Sequence, residues 1–284
     1  MARRPTLSPS KITTFLACPA KYRYQYLDSR GRPFMKAKSY FSFGSSLHRA
    51  LERFHDSSDT GVTTTEELLT AYEESWIDAG YQSAEEMAEA FGEGYEILEQ
   101  HAQEWVRRKT TAKTLFTERQ FSLELEAFRL IGRIDRLDEH EDGRLEIVDY
   151  KSGRSKVEEG DVKNDIAMSI YQLLIRRKYP DRPAFATIYA LRTGVQASAE
   201  LSDAEIDQLQ SDIQKLGEEI LSYTDSYWEL RPSPKKICNG CDFLKLCSAD
   251  PDFDASLIPS VESESTPPTA SSEPGPSSIQ ESLF

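Results

Sequence analysis

Long apolar runs are missing from this 284-residue chain: no stretch of 18 apolar residues occurs, so a membrane-spanning helix is not expected. A secretory leader is not expected either, because the basic start Met1-Ala2-Arg3-Arg4 is followed by no apolar h-region, and the expected address is cytoplasmic. Basic charge is scarce too. Lys and Arg total 34 against 48 Asp and Glu, a net charge of -14, so the bulk positive character of many nucleic-acid binders is absent. Any surface for DNA must be local, built from clustered bases or from bound metal. Half of the net charge sits in residues 248–284, where seven acids occur without a single Lys or Arg. Cysteine is rare, at four, but unevenly placed: Cys238, Cys241 and Cys247 form C-x2-C-x5-C, and Cys18 stands alone near the start.

What is present supports a packed core: 38% of residues are hydrophobic and 29% charged. Ser8 and Pro9 read as the cap and first position of a helix. Phe41 to His55 reads as a second helix, with Leu47, Leu51 and Phe54 at helical spacing. Residues 66–112 read as two or three amphipathic helices. The texture changes near residue 115. Phe121, Leu123 and Leu125 alternate with polar residues as in a half-buried strand, and Arg129–Leu137 and Leu145–Lys151 read as two more strands about a turn at Asp142-Gly143. Residues 161–178 read as a helix, Phe185–Leu191 and Val195–Leu201 as a hairpin, and Ser202 as the cap of a helix running to about Tyr227. Ten Ser and six Pro in residues 248–284 read as a disordered tail. The expected fold class is α/β.

The chemically informative residues are Gly132-Arg133-Ile134-Asp135 and Asp149-Tyr150-Lys151. Asp149 and Lys151 are two apart on a strand and so share a face. Asp135 lies on the neighbouring strand. Two carboxylates converging there make an oxygen site suited to Mg²⁺ or Mn²⁺. An adjacent lysine steadies a developing anion or positions a water, as metal-assisted phosphodiester hydrolysis requires. The bland alternative is an exposed cross-strand charge pair worth under about 1 kcal/mol. It fits poorly with a strand whose Ile147 and Val148 mark it as central.

Five features in order resemble the PD-(D/E)XK nuclease superfamily, in particular its RecB-like branch: the Leu7-Ser8-Pro9-Ser10-Lys11 opening with Cys18-Pro19, the Gly44-x-x-x-His48 helix, Gly132-x-x-Asp135, Asp149-x-Lys151, and the terminal cysteine triplet. The resemblance covers roughly residues 7–247. It implies a restriction-endonuclease-like core, a mixed β-sheet flanked by helices, as one nuclease domain over 1–247. The helical insertion takes up about 56–114, the catalytic core about 115–230, and the tail 248–284. It implies metal ligation by His48, Asp135, Asp149 and the Tyr150 carbonyl, with Lys151 orienting the attacking water. Tyr171 is implied to hold a DNA phosphate. One departure stands out: the glutamine that related nucleases place four residues before this tyrosine is Ala167 here, and Gln172 follows Tyr171 directly.

Read by spacing alone, four cysteines suit tetrahedral zinc or an iron–sulfur cluster, while disulfides do not suit a cytoplasmic chain. The resemblance implies a [4Fe–4S] cluster on Cys18, Cys238, Cys241 and Cys247, with zinc as the alternative. Tyr22, Tyr24 and Tyr26 near Lys21 and Arg23 read either as a nucleic-acid surface or as a packed helix face. The expected activity is metal-dependent cleavage of DNA, exonucleolytic on ends or single strands, in repair or recombination. A CRISPR-adaptation nuclease and a non-catalytic iron–sulfur DNA-binding scaffold are the alternatives. No G-x-x-x-x-G-K-[ST] occurs, so unwinding would come from a separate helicase. Finally, Gln280-Glu281-Ser282-Leu283-Phe284 resembles the motif by which bacterial repair proteins bind the sliding clamp, with Gln280 at a pocket rim and Leu283 and Phe284 inside it.

Overall fold

The computed structural model describes residues 4–56, 64–108, 111–153 and 156–260. In chain order the elements are β1 (Thr6–Leu7), α1 (Pro9–Ala17), α2 (Pro19–Tyr22), α3 (Ser39–His55), α4 (Thr65–Ser75), α5 (Ala84–Arg108), β2 (Lys113–Glu124), β3 (Arg129–Glu139), β4 (Leu145–Lys151), α6 (Glu159–Lys163), α7 (Ile166–Lys178), β5 (Ala184–Ala190), β6 (Val195–Ala199), α8 (Asp203–Ser222) and α9 (Leu244–Cys247). One domain over 1–247 is expected from the sequence. The chain forms two compact units, residues 1–9 with 37–214 and residues 10–36 with 215–284. Among the described residues no helix is long and apolar enough to cross a membrane.

The first unit carries a six-stranded mixed sheet in the order β1-β3-β4-β5-β6, with β2 antiparallel along β3. This is the α/β class expected. β4 and β5 run parallel, joined through α6 and α7. On one face Val148 and Tyr150 of β4 join Phe43, Leu47 and Leu51 of α3 and Leu98 and Ala102 of α5 in a core. Successive residues of a strand point to opposite faces, so Asp149 and Lys151 project away from that core. Gly132 of β3 lets α7 approach closely: a Cβ there would lie 2.7 Å from Leu174 and 3.0 Å from the Tyr171 ring.

The helix expected over 161–178 is two helices. Asp165 breaks it because its carboxylate accepts the Ala167 and Met168 N–H groups and caps α7 as a new start. Ser202 caps α8 as expected, through the Glu205 N–H at 3.3 Å, but the helix ends at Ser222 rather than near Tyr227.

In the second unit Tyr24, Cys238, Phe243, Cys247 and Phe253 form a small core. Tyr22 is 3% exposed, edge-on to Phe15, and Tyr24 is 5% exposed, so these rings are packing residues and not a nucleic-acid surface. The disordered tail expected from Ser248 is corrected for its first part. Phe253 is buried, the Asp254 carboxylate caps a 3-10 turn at Ala255–Leu257, and Asn239 donates to the Pro259 carbonyl at 2.8 Å. Phe253, Ile258 packed beside it, the Arg231–Asp250 ion pair and the Asn239 bond together dock this short segment in spite of its Ser, Pro and Asp content. Residues 261–284, including Gln280, Leu283 and Phe284, lie outside the described residues.

Candidate metal centre

β3 is shared along one edge. Its C-terminal half pairs with β4 up to Arg136↔Val148, its start pairs with β1 at Arg129 and Leu130, and between them the ladders part. Extending the β3–β4 register by one residue sets Asp135 opposite Asp149. On the other edge, Thr117↔Arg136 and Arg119↔Ile134 set Glu118 opposite Asp135. Three carboxylates from three strands therefore form one row across the sheet. Like charges directly opposite one another destabilise a sheet, and cations face both ends of the row: Arg133 Nε lies 2.6 Å from Glu118 Oε2 and Lys151 Nζ 2.7 Å from Asp149 Oδ2.

The local backbone is adapted to the row. Glu118 has φ 45, the sole positive φ of a non-glycine among the described residues. That conformation costs about 1 kcal/mol or more for an ordinary side chain. The Tyr150 N–H leaves the strand ladder and donates to Asp135 Oδ2 at 2.8 Å.

His48 of α3 stands over the row. Its Nδ1 lies 3.4 Å from both Glu118 Oε1 and Asp135 Oδ2, and its Nε2 lies 3.0 Å from the Tyr150 carbonyl oxygen. Burial pulls the His48 pKa down, but the charge and hydrogen bond of Asp135, with help from Glu118 and Asp149, hold it well above the ordinary value. His48 is thus an imidazolium ringed by oxygens. His48, Glu118 and Asp135 offer ligand atoms all within 4.8 Å of one another.

Asp149 is 6% exposed, and its Oδ2 sits 2.7 Å from Lys151 Nζ without a well-directed hydrogen bond. Burial and then the Asp135 charge push its pKa up to about 7, against the opposing pull of Lys151. His48, Glu118 and Asp135, with Asp149 opposite Asp135, make the oxygen-rich donor set that a hard divalent ion takes. The residues present fit Mg²⁺ or Mn²⁺. Burial lowers the Lys151 pKa, yet Asp149 more than restores it, so the ammonium stays charged.

Tyr171 of α7 packs beside β3, and its hydroxyl pKa is raised by burial and by Asp149 and Asp135, so it remains a donor. Gln172 cannot replace the glutamine missing at Ala167. It is 1% exposed, and its Oε1 accepts the Leu201 N–H at 2.9 Å. On the opposite face of β4 the Tyr150 hydroxyl accepts from buried Arg136, which also reaches His55 Nε2 at 2.9 Å. Burial and the Arg136 charge lower the pKa of His55 far below the usual value and that of His101 to about 3. His48 and His55 stand two turns apart on α3, yet burial beside Arg136 lowers the pKa of one while Asp135 raises that of the other.

His48, Asp135, Asp149, Lys151 and Tyr171, all read as candidates from the sequence, share one locality with the Tyr150 carbonyl. Glu118 escaped the sequence reading. It is an acid inside a strand segment with no glycine or asparagine to announce its backbone turn. Its one usable signal is position, because it falls opposite Asp135 once β2 and β3 are paired.

The second unit gathers the four cysteines. Cys18 caps α2, its Sγ accepting the Lys21 N–H at 3.4 Å, and Cys238, Cys241 and Cys247 follow α8. Burial, then the nearby Cys18, Cys241 and Cys238, push the Cys247 thiol up to about 12. All four are free thiols. Among the described residues no three of their sulfurs lie within 4.8 Å of one another.

The sequence profile of the PD-(D/E)XK nuclease superfamily matches residues 6–248, and the chain belongs to that superfamily. No curated protein matches it. Among solved structures it is similar to SSO0001, at 13% identity and TM-score 0.38 over 88% of each chain. It is also similar to a protein of Eubacterium rectale provisionally named an exonuclease, at 11% identity and TM-score 0.45, covering 78% of this chain and 82% of that one.

Proposed function

We propose that this nuclease-superfamily chain is a Mg²⁺- or Mn²⁺-dependent deoxyribonuclease of the RecB-like kind, acting on DNA ends or single strands in repair or recombination. The observation that carries the reading is the row Glu118–Asp135–Asp149 beneath an imidazolium, with Lys151 2.7 Å from the last carboxylate. His48, Asp135, Asp149 and the Tyr150 carbonyl would hold the ion, with Glu118 beside them. A bound divalent ion supplies Lewis acidity to the phosphoryl oxygens and lowers the pKa of a coordinated water.

The chain's own residues do the rest. Asp135 holds the Tyr150 N–H, and His48 holds the Tyr150 carbonyl, so the backbone on both sides of this Cα is fixed at the site. Lys151 keeps its proton and presents an ammonium where a phosphorane gathers negative charge. Tyr171 keeps its hydroxyl proton for a phosphate oxygen.

The test is cleavage of labelled single- and double-stranded DNA with and without Mn²⁺, by wild type and by Lys151→Ala. Loss of an oriented charge at the transition state costs about 10²–10³ in rate. Cleavage by Lys151→Ala at the wild-type rate refutes the assignment.

The reading extends to two other features. The four thiols would hold a [4Fe–4S] cluster as a structural staple, a reading that rests on the one-plus-three placement of Cys18, Cys238, Cys241 and Cys247 and on their falling in one unit. The terminal Gln280-Glu281-Ser282-Leu283-Phe284 would tether the nuclease to a sliding clamp, supported by an apolar pair that closes a polar sequence.

A further inference from the structure

Large rings left in water are few among the described residues, and two of them are neighbours. Tyr40 is 61% and Phe41 66% exposed, with ring centroids 4.4 Å apart. Both open α3, the helix that carries His48. At 100° per residue, positions seven apart fall within about 20° of each other and about 10 Å apart along the axis. Phe41 and His48 therefore lie on one stripe of the helix.

The stripe between them is floored by Gly44 and Ser45. A Cβ on Gly44 would lie 3.0 Å from Ser152 Oγ, so the residue after Lys151 borders the same strip. Arg192 donates to the Ser152 carbonyl at 2.8 Å, covers the Phe43 ring and is ion-paired with Glu93, whereas Arg49 is exposed on the next turn beyond Ser45. Phe43 has a packing role in the core with Leu47, whereas the Tyr40–Phe41 pair has none there. An exposed aromatic pair on the stripe that leads to His48, with an exposed arginine two turns along the same helix, has the composition of a surface for unpaired bases. In a duplex the base faces are covered by their neighbours, so such a surface reads only a displaced or single strand.

We propose that Phe41, backed by Tyr40, is a stacking platform for an unpaired base of the strand whose backbone enters the metal centre. Single-stranded DNA is then the form presented for cleavage. This rests on the nuclease reading and narrows its substrate.

The test is fluorescence anisotropy with a short labelled oligothymidylate in EDTA, where binding is read without hydrolysis. The full chain, Phe41→Ala and Phe41→Trp are compared, and each is repeated with an abasic strand of equal length. Phe41→Ala should weaken binding of the normal strand by about five- to a hundredfold, the range found for one base–aromatic stack. Phe41→Trp should keep the affinity. On the abasic strand wild type should lose the same factor and Phe41→Ala nothing further. Unchanged binding by Phe41→Ala overturns the platform, as does an equal loss by that variant on both strands. A wild-type dimer in sedimentation that Phe41→Ala splits, at unchanged DNA affinity, would assign the pair to self-association instead. Mn²⁺-dependent cleavage is measured separately. Its absence in wild type defeats the nuclease reading, while the stacking result is read from binding alone.

Discussion

Divalent metal should stabilise this protein increasingly as pH rises. In the metal-free fold His48 holds a proton more tightly than a free histidine, and Asp149 holds one up to about pH 7. Both shifts are upward. The stability that Asp149 contributes is present below about pH 4 and is lost as pH rises to about 7. The His48 contribution is complete below about 6.5 and is lost as pH rises through its folded pKa.

A cation that binds these groups must displace their protons, so below the relevant pKa its affinity gains about tenfold per pH unit for each proton. That is about 1.4 kcal/mol per proton per unit. Metal at about a hundred times its dissociation constant adds about 2.7 kcal/mol. For a protein of this size 1 kcal/mol moves Tm by about 2–4 °C. Scanning calorimetry with Mn²⁺ should therefore show a rise of roughly 5–11 °C near saturation, gaining roughly 3–6 °C per displaced proton between about pH 6 and about pH 7. The paired variant Asp135→Asn with Glu118→Gln should abolish the rise, and metal-free Asp149→Asn should be more stable than wild type above about pH 7. A Mn²⁺ shift that is independent of pH, or that survives in the paired variant, refutes the reasoning.

Protein purified without oxygen should carry about four irons per chain, and Cys18→Ser should lower stability as much as Cys241→Ser; one zinc per chain by elemental analysis would replace the cluster with a zinc staple. Gly132→Val places a side chain against Leu174 and Tyr171, which should cost about 1–3 kcal/mol in urea unfolding; wild-type stability would contradict the close packing of α7. Removal of residues 280–284 should abolish micromolar clamp binding in a pull-down or calorimetric titration and leave cleavage of free DNA unchanged; retained clamp binding would sink that tether.

Strands and helices were legible where one face is buried, because burial imposes period on sequence: β3, β4 and α3 appear within a few residues of their expected limits. The metal residues were legible because polar side chains interrupt an otherwise apolar strand, as Asp149 does after Val148. What escaped depends on partners distant in sequence. Glu118 has meaning only once β2 is registered against β3. Asp165 looks like any surface acid until its carboxylate is seen closing two N–H groups of α7. Phe253 looked like tail until Tyr24 and Phe243 gave it a core to join.

The cysteine unit is assembled from the two ends of the chain, with residues 37–214 between them in the other unit. A ribosome adding about 5–20 residues per second needs roughly 10–45 s to travel from Cys18 to Cys238. Throughout that interval the first thiol has been made and its three companions have not. Its burial is then a race between translation and oxidation, one that slower translation or more oxidising surroundings would lose.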